Sequence, residues 1–412
     1  MKKKRENKMV MNTTMLFLMN VAKLVFPLLT LPYLTRVLSV ECYGVVAYVK
    51  SIMTYVQVFV DFGFVLSTTK EIVENQNNKE TICKITGNAL IAKLILAGIS
   101  TVALGIMGCG MPILNGYFLY LMASQISVYL SCFFLEYFFR GIEMMHIITI
   151  RFVLMKSIST VLTFFLVKSD QDVLWIPILD VISYSIAAIL SVKQVYSFGY
   201  KIKFEGLKYS FKALKTSFFY FLSNMASTAF NILNTLLIGI FATSSDVAYW
   251  SVCLQLITAV QSIYPSISDG IYPEMVKTKN FGIIKKTLKI FVPIVICGCL
   301  FTIAISPQIL LIVGGRNYVS ATSILRFLTP VLFFSFFTYM LGWPALGAIN
   351  KVNQTTKTTV FSALFQIAGL FILVLTNRFT IINIAILRSI TEAVLAFMRG
   401  RYCYIYKKEF RS

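Results

Sequence analysis

The residues that could do chemistry in this 412-residue chain are charged side chains set inside apolar runs: Lys23, Lys50, Lys93, Arg388, Asp61 and Glu392. A charge at mid-membrane depth costs about 2.5–3.5 kcal/mol on insertion scales, so it normally faces a cavity or a partner. Helical phase shows which charges share a face. Lys50, Thr54, Gln57 and Asp61 fall within an arc of about 60° at 100° per residue. Asn20, Lys23, Pro27 and Thr30 share one face of the preceding run, and Lys93 with Ser100 adds a third polar face. Three ammonium groups and one carboxylate are thus available to a common space. That set suits binding an anion, with a carboxylate able to take up a proton or a cation.

Two readings stay open for parts of this set. Lys50 lies about 10 Å from the outer end of its run at 1.5 Å per residue, so it either lines the cavity or snorkels to the interface. Lys23 and Lys93 lie deeper, about 14–16 Å in. Asp61 either neutralises a lysine or carries a coupling ion. Farther along the chain the polarity continues without charge. Asn224, Thr228, Asn231 and Thr235 line one face of a later run, and Ser251, Gln255, Thr258, Ser262 and Asp269 line one face of the next. A space cationic on one side and hydrogen-bonding on the other suits an anionic headgroup carrying sugars. Arg388 and Glu392 are four residues apart, the spacing of an intrahelical ion pair, and Asp180 has no assigned role.

Catalytic chemistry is poorly served. The single His146 builds no histidine metal site and reads as a juxtamembrane residue. Eight scattered cysteines form no CxxC pair and read as packing residues with free thiols. There is no carboxylate pair or His–acid pair for acid–base work. No GxxxxGK phosphate loop is present, so ATP is not the direct energy source. The expectation is a protein without cofactors or metal that is not an enzyme.

The elements that must position these charges are membrane spans. The chain is 57% hydrophobic and 13% charged, with a mean hydropathy of +0.77, far from the ~25% charge of soluble domains. A bilayer span needs about 20 apolar residues. Twelve candidates follow: 12–34, 43–67, 85–107, 111–135, 147–167, 173–192, 216–241, 248–268, 288–312, 324–345, 358–376 and 379–398. MetLysLysLysArg before an apolar run resembles a signal peptide, but the run from Leu16 to Leu34 is too long and lacks a small-residue cleavage site. It reads as a first span. The net charge of +21 forms no continuous stripe, which argues against nucleic acid. Counted by connector, 29 Lys and Arg fall on one side and five on the other: Arg36, Lys168, Arg316, Arg326 and Arg378. Basic loops stay cytoplasmic, so both termini are placed there.

The chain also repeats itself. PheLeuMetAsnValAla at 17–22 returns as PheLeuSerAsnMetAla at 221–226, an offset of 204, about half the length. The expected architecture is all-α and polytopic. It has about twelve transmembrane helices in two six-helix bundles, residues 1–205 and 206–412, related by a pseudo-two-fold axis along the membrane normal. The basic connector 193–215 places Lys208, Lys212 and Lys215 on one helical face and Leu207, Phe211 and Leu214 on another. It reads either as a loop joining the halves or as a helix in the headgroup region. Pro27 and Pro32 are expected to interrupt the first span, and Pro265 and Pro273 to bend the eighth.

ProLeuLeuThrLeuProTyrLeuThrArgValLeuSerValGluCysTyrGly at 27–44, with AspPheGlyPhe at 61–64, resembles the start of the Wzx-type flippases. These are the O-antigen and capsule translocators of the multidrug/oligosaccharidyl-lipid/polysaccharide (MOP) superfamily, whose fold is shared with the MATE exporters. The resemblance implies a V-shaped pair of bundles in a bacterial cytoplasmic membrane. It implies alternating access that carries an undecaprenyl-diphosphate-linked oligosaccharide to the outer leaflet, with H+ or Na+ as coupling ion. Membrane lipid, a glycan polymerase and chain-length machinery are the implied partners. The arginine of the quoted run is Arg36, which joins Lys23, Lys50 and Lys93 as a substrate-site candidate. Asn20, Gln57, Asn224, Asn231 and Gln255 are candidates for the polar lining, and Asp61, Glu392 and Arg388 for ion coupling. The rival readings are a cation or drug antiporter of the same superfamily and a membrane glycan polymerase.

Overall fold

Each of the twelve apolar runs forms helix in the computed structural model, and among the described residues five of them are broken. The structure describes residues 2–410, with the side chains of 2–10, 13, 223, 226, 227 and 229–231 left out. Span 1 is α1 (Lys2–Val37), and span 2 comprises α2 (Val40–Asp61) and α3 (Phe64–Glu74). Span 3 is α4 (Lys79–Gly110), span 4 is α5 (Phe118–Cys132) with α6 (Glu136–Gly141), and spans 5 and 6 are α7 (Met145–Leu166) and α8 (Trp175–Ser197). Span 7 is α9 (Leu207–Phe241), span 8 is α10 (Ser244–Gln261) with α11 (Tyr264–Thr278), and span 9 is α12 (Phe281–Ala304), followed by the short α13 (Ser306–Gly314). Span 10 comprises α14 (Thr322–Leu328), α15 (Pro330–Met340) and the π-helical turn Leu341–Gly347. Spans 11 and 12 are α16 (Val352–Leu375) and α17 (Ile381–Ile405). Among the described residues no strand occurs, and eleven spans are long and apolar enough to cross a membrane. The seventh completes the set as a 35-residue helix. The protein is an all-α multi-pass membrane protein.

Four of these breaks fall in the second and fourth span of each set of six, and the fifth, at Ile305 in the run 288–312, separates α12 from α13. Span 2 turns at Phe62 (φ 42°) and Gly63 (φ 76°). Glycine is required there twice over. Its φ is left-handed, and a Cβ would stand 2.6 Å from Tyr220 Cβ and 2.8 Å from the Phe221 nitrogen. Span 4 turns at Leu135 (φ 50°), span 8 breaks ahead of Pro265, and span 10 at Gly342 (φ −74°, ψ −105°) near Pro344. Helix α1, by contrast, runs unbroken through Pro27 and Pro32, so the expected interruption is absent. Thr30 Oγ1 donates back to the carbonyls of Phe26 (3.1 Å) and Pro27 (3.2 Å) beside the missing proline donors.

The freed carbonyls at two breaks are capped in the same way. Arg151 donates to the Phe134 carbonyl and to Ser191 Oγ at 2.9 Å. Arg399 donates to the Thr338 carbonyl at 2.6 Å and to Thr359 Oγ1 at 3.0 Å. Phe134 and Thr338 are separated by 204 residues, the offset of the sequence repeat. Both arginines are nearly fully buried, where an unsatisfied carbonyl is costly. Arg151, Arg399 and Lys156 count as connector charges in the sequence tally, but they lie inside α7 and α17. The excess on the side expected to be cytoplasmic is accordingly three smaller and remains large.

The chain forms two compact units, residues 1–229 and 230–412. The core of the first gathers Val60, Phe64, Ile72, Ile82, Leu90, Phe138 and Phe139. It also includes the opening turns of α9, because the connector before it is tied to α4. Lys203 N donates to the Cys83 carbonyl (3.2 Å), Glu205 N to Asn88 Oδ1 (3.1 Å), and Lys84 pairs with Glu205 (3.1 Å). Gly87 lets the backbone of Lys203 approach, since a Cβ there would meet its carbonyl oxygen at 2.1 Å. Residues 207–215 are therefore neither loop nor separate surface helix but the first turns of α9. The core of the second unit packs Met275, Ala345, Leu346 and Cys403 in one cluster and Tyr264, Phe336 and Met340 in another.

Candidate functional site

The charged residues of the first unit sort into neutralised pairs and unneutralised cations. Asp61 is the last residue of α2, held at the break by the left-handed Phe62 and Gly63. Its Oδ1 accepts from Lys93 Nζ at 2.8 Å, and the Lys93 side chain is 7% exposed against 32% for Asp61. Lys93 reaches this point from the interior of α4, among small residues such as Ala89, Ala92 and Ala97. Gln57, one turn before Asp61, accepts from Ser131 Oγ at 3.1 Å. Asp61 and Gln57, two members of the face read from helical phase, thus meet neighbouring helices, and the lysine partner of Asp61 comes from α4.

A second pair was not read from the sequence. Lys156 of α7 stands 3.2 Å from Asp180 Oδ1 of α8, and Ser159 Oγ donates to the same oxygen at 2.8 Å. The Lys156 ammonium also lies 5.4 Å from the Tyr184 ring centroid, a cation–π contact. Arg151, besides capping Phe134, is 3.4 Å from Glu136. Counting Arg151 and Lys156 with the connector charges hid both; their position inside the apolar run 147–167 was the available signal.

Lys23 and Lys50 differ from these. Both are exposed, and among the described residues neither has a carboxylate within ion-pair distance. Lys23 Nζ sits 5.7 Å from the Phe152 ring centroid. Lys50 lies in the fields of Lys156 and Asp180. In α2 it is ten residues from Val40, about 15 Å of helix, deeper than the sequence edge suggests. The three pairs cancel, and among the described residues Lys23 and Lys50 are cations on the spans with no ion pair of their own. Asn20 and Arg36 are also exposed on α1, Arg36 in its last turn.

The second unit carries a polar node instead. Arg388 and Glu392 pair along α17 at 3.3 Å, both nearly buried. Gln366 Nε2 donates to Asn234 Oδ1 at 2.9 Å, and Thr391 Oγ1 donates to Gln366 Oε1. Asn234, Gln366 and Thr391 are each 1% exposed or less. This node was missed because its members come from three helices and no single helical face contains them. Thr235 is buried and accepts from Trp250 Nε1 at 3.2 Å. Asn224 and Gln255 are half-buried, and the side chain of Asn231 lies outside the described residues.

A family model described as polysaccharide biosynthesis protein matches residues 9–279. A Shigella dysenteriae protein provisionally named an O-antigen transporter is 31% identical over 284 residues, 68% of this chain and 70% of its own. An Escherichia coli K12 protein of the same provisional name is 23% identical over 385 residues, 90% of each chain. Among solved structures, the lipid II flippase MurJ in an inward closed conformation matches with TM-score 0.73 at 14% identity, over 97% of this chain and 89% of its own. An inward-facing MATE transporter of the MOP superfamily matches with TM-score 0.70 at 15% identity, over 95% of each chain.

Proposed function

We propose that this chain, which belongs to the polysaccharide biosynthesis protein family, is a lipid-linked oligosaccharide flippase. Its substrate on this reading is an undecaprenyl-diphosphate-linked glycan unit for O-antigen or capsule synthesis. The observation that carries the proposal is the charge balance inside the first unit. Asp61–Lys93, Asp180–Lys156 and Glu136–Arg151 neutralise one another, and Lys23 and Lys50 remain as exposed cations. A diphosphate diester carries about two negative charges, and lysine meets phosphate as a point charge with rotatable donors. Opposite charge in a site of reduced dielectric is worth far more than in water.

The remaining parts of the reading follow. Spans 1–6 and 7–12 act as two bundles that alternate access, with both termini in the cytoplasm and the protein in the bacterial inner membrane. Arg36, at the outer end of α1, meets the substrate as it leaves. Asn20, Gln57, Asn224, Asn231 and Gln255 offer hydrogen bonds to sugar hydroxyls. Asp61 exchanges Lys93 for a proton or Na+ during the cycle, and Arg388–Glu392 is a second coupling candidate. The glycan polymerase and chain-length machinery receive the flipped product. A drug or cation antiporter would need carboxylates free of lysine partners, and the charge sorting of this unit supports the opposite.

The test is export of surface glycan by a strain whose own flippase is deleted. Lys23→Ala and Lys50→Ala should each lower export about tenfold at unchanged membrane abundance, and the double substitution should abolish it. Arginine at either position should restore part of the activity, since the charge returns in a different shape. Full export by the double alanine variant would remove the diphosphate-binding role.

A further inference from the structure

We propose that Asp180 is a specificity-determining residue that accepts hydroxyl hydrogen bonds from the substrate's glycan through its Oδ2; this rests on the flippase reading above. Its two protein ligands, Lys156 Nζ at 3.2 Å and Ser159 Oγ at 2.8 Å, both bind Oδ1. Among the described residues nothing occupies Oδ2, and the side chain is 31% exposed. The carboxylate is therefore held rigidly from one side and presented from the other. Lys156 is fixed in turn by the Tyr184 ring, which packs at 5.2 Å on Phe134. A pre-set polar group of this kind spends little entropy when a ligand binds.

The chemistry of the group selects its ligand. An ionised carboxylate only accepts hydrogen bonds, and sugar hydroxyls are abundant neutral donors. Paired with Lys156, it offers the diphosphate no donor and no net positive charge, so the sugar rather than the phosphate should lie against it. Position supports the same assignment. Lys50 is exposed and lies in the fields of both Lys156 and Asp180, so a phosphate held at Lys50 would place the neighbouring sugar near this pair. Asp61 also has one oxygen engaged by lysine, but it lies eleven residues from Lys50 on the same helix, about 16 Å away along the axis. The Lys156–Asp180 pair thus links spans 5 and 6 and also presents an acceptor, and the second role is open to test.

Binding is measured on the full-length protein in nanodiscs with two probes, undecaprenyl diphosphate and undecaprenyl-diphosphate N-acetylglucosamine. The wild type should bind the sugar-bearing probe about tenfold more tightly. Asp180→Asn should lose most of that preference while its affinity for the bare diphosphate stays within about twofold. Ser159→Ala, which releases Oδ1 without touching the charge, should lose part of it and serves as the readout if Asp180→Asn folds poorly. An undiminished preference in both variants would overturn the inference, as would equal loss of both probes, which marks a merely structural pair. A wild type that binds both probes equally overturns the glycan role alone. A wild type that binds neither overturns the flippase reading itself.

Discussion

Asp61 and Lys93 show how one ion pair joins stability to mechanism. Lys93 is buried and Asp61 is about one-third exposed. Removing one partner of a fully buried pair costs about 3–5 kcal/mol. The partial exposure of Asp61 lowers the expectation for Lys93→Met to about 1–3 kcal/mol. Thermal unfolding of the purified protein should show this loss, and Lys93→Met/Asp61→Asn should recover most of it because no bare charge is left. The same carboxylate is the coupling candidate, since a proton or Na+ on Asp61 would release Lys93. Only differential ion affinity between inward and outward states is required for that to bias transport. Asp61→Asn should therefore still bind lipid-linked sugar yet lose the dependence of transport on an imposed pH or Na+ gradient in proteoliposomes. A gradient response like that of wild type would take Asp61 out of the mechanism.

The broken spans set where these side chains stand. The turn at Phe62–Gly63 ends α2 at Asp61 and brings Phe62 into a stacked contact with Phe221 of α9, at 4.4 Å. Ser67 and Ser217 reinforce this approach through a buried hydroxyl pair at 2.6 Å. Gly63→Ala would impose both an unfavourable left-handed φ and a backbone clash. A loss of about 2–3 kcal/mol is expected from strain of this kind, visible as a lower unfolding temperature and weaker export. Unchanged stability would mean that α9 does not pack on this turn. The arginine caps at Phe134 and Thr338 make the same point from the other direction. Each break frees a carbonyl in a low-dielectric setting, and each unit supplies a guanidinium to satisfy it.

At the scale of the molecule the testable quantity is topology. Even after Arg151, Lys156 and Arg399 are moved into helices, the basic connectors remain on the side that holds both termini. In a background lacking the native cysteines, single cysteines at Ser169 and Ser245 should react with a membrane-impermeant reagent in intact cells. Cysteines at Lys203 and Lys279 should not react until the membrane is opened. Labelling of Lys203 from outside would reverse the orientation.

What the sequence determined by itself was the class of protein and its roughly twelve apolar helices. Those properties depend on local apolarity and on a fixed helical period, which neighbouring residues carry together. The break at Phe62–Gly63 was not read from the sequence, where AspPheGlyPhe served only the family resemblance. Tertiary structure alone decided which charges cancel. Lys156 and Asp180 are 24 residues apart on different helices, and Lys93 finds Asp61 across 32. Helical phase places a side chain on a face, but the partner across that face is set by packing. The distinction between a neutralised lysine such as Lys93 and an uncompensated one such as Lys50 therefore exists only in the folded unit. Depth alone does not make it, since Lys23 and Lys93 are read at the same depth and, among the described residues, only Lys93 of the two is paired.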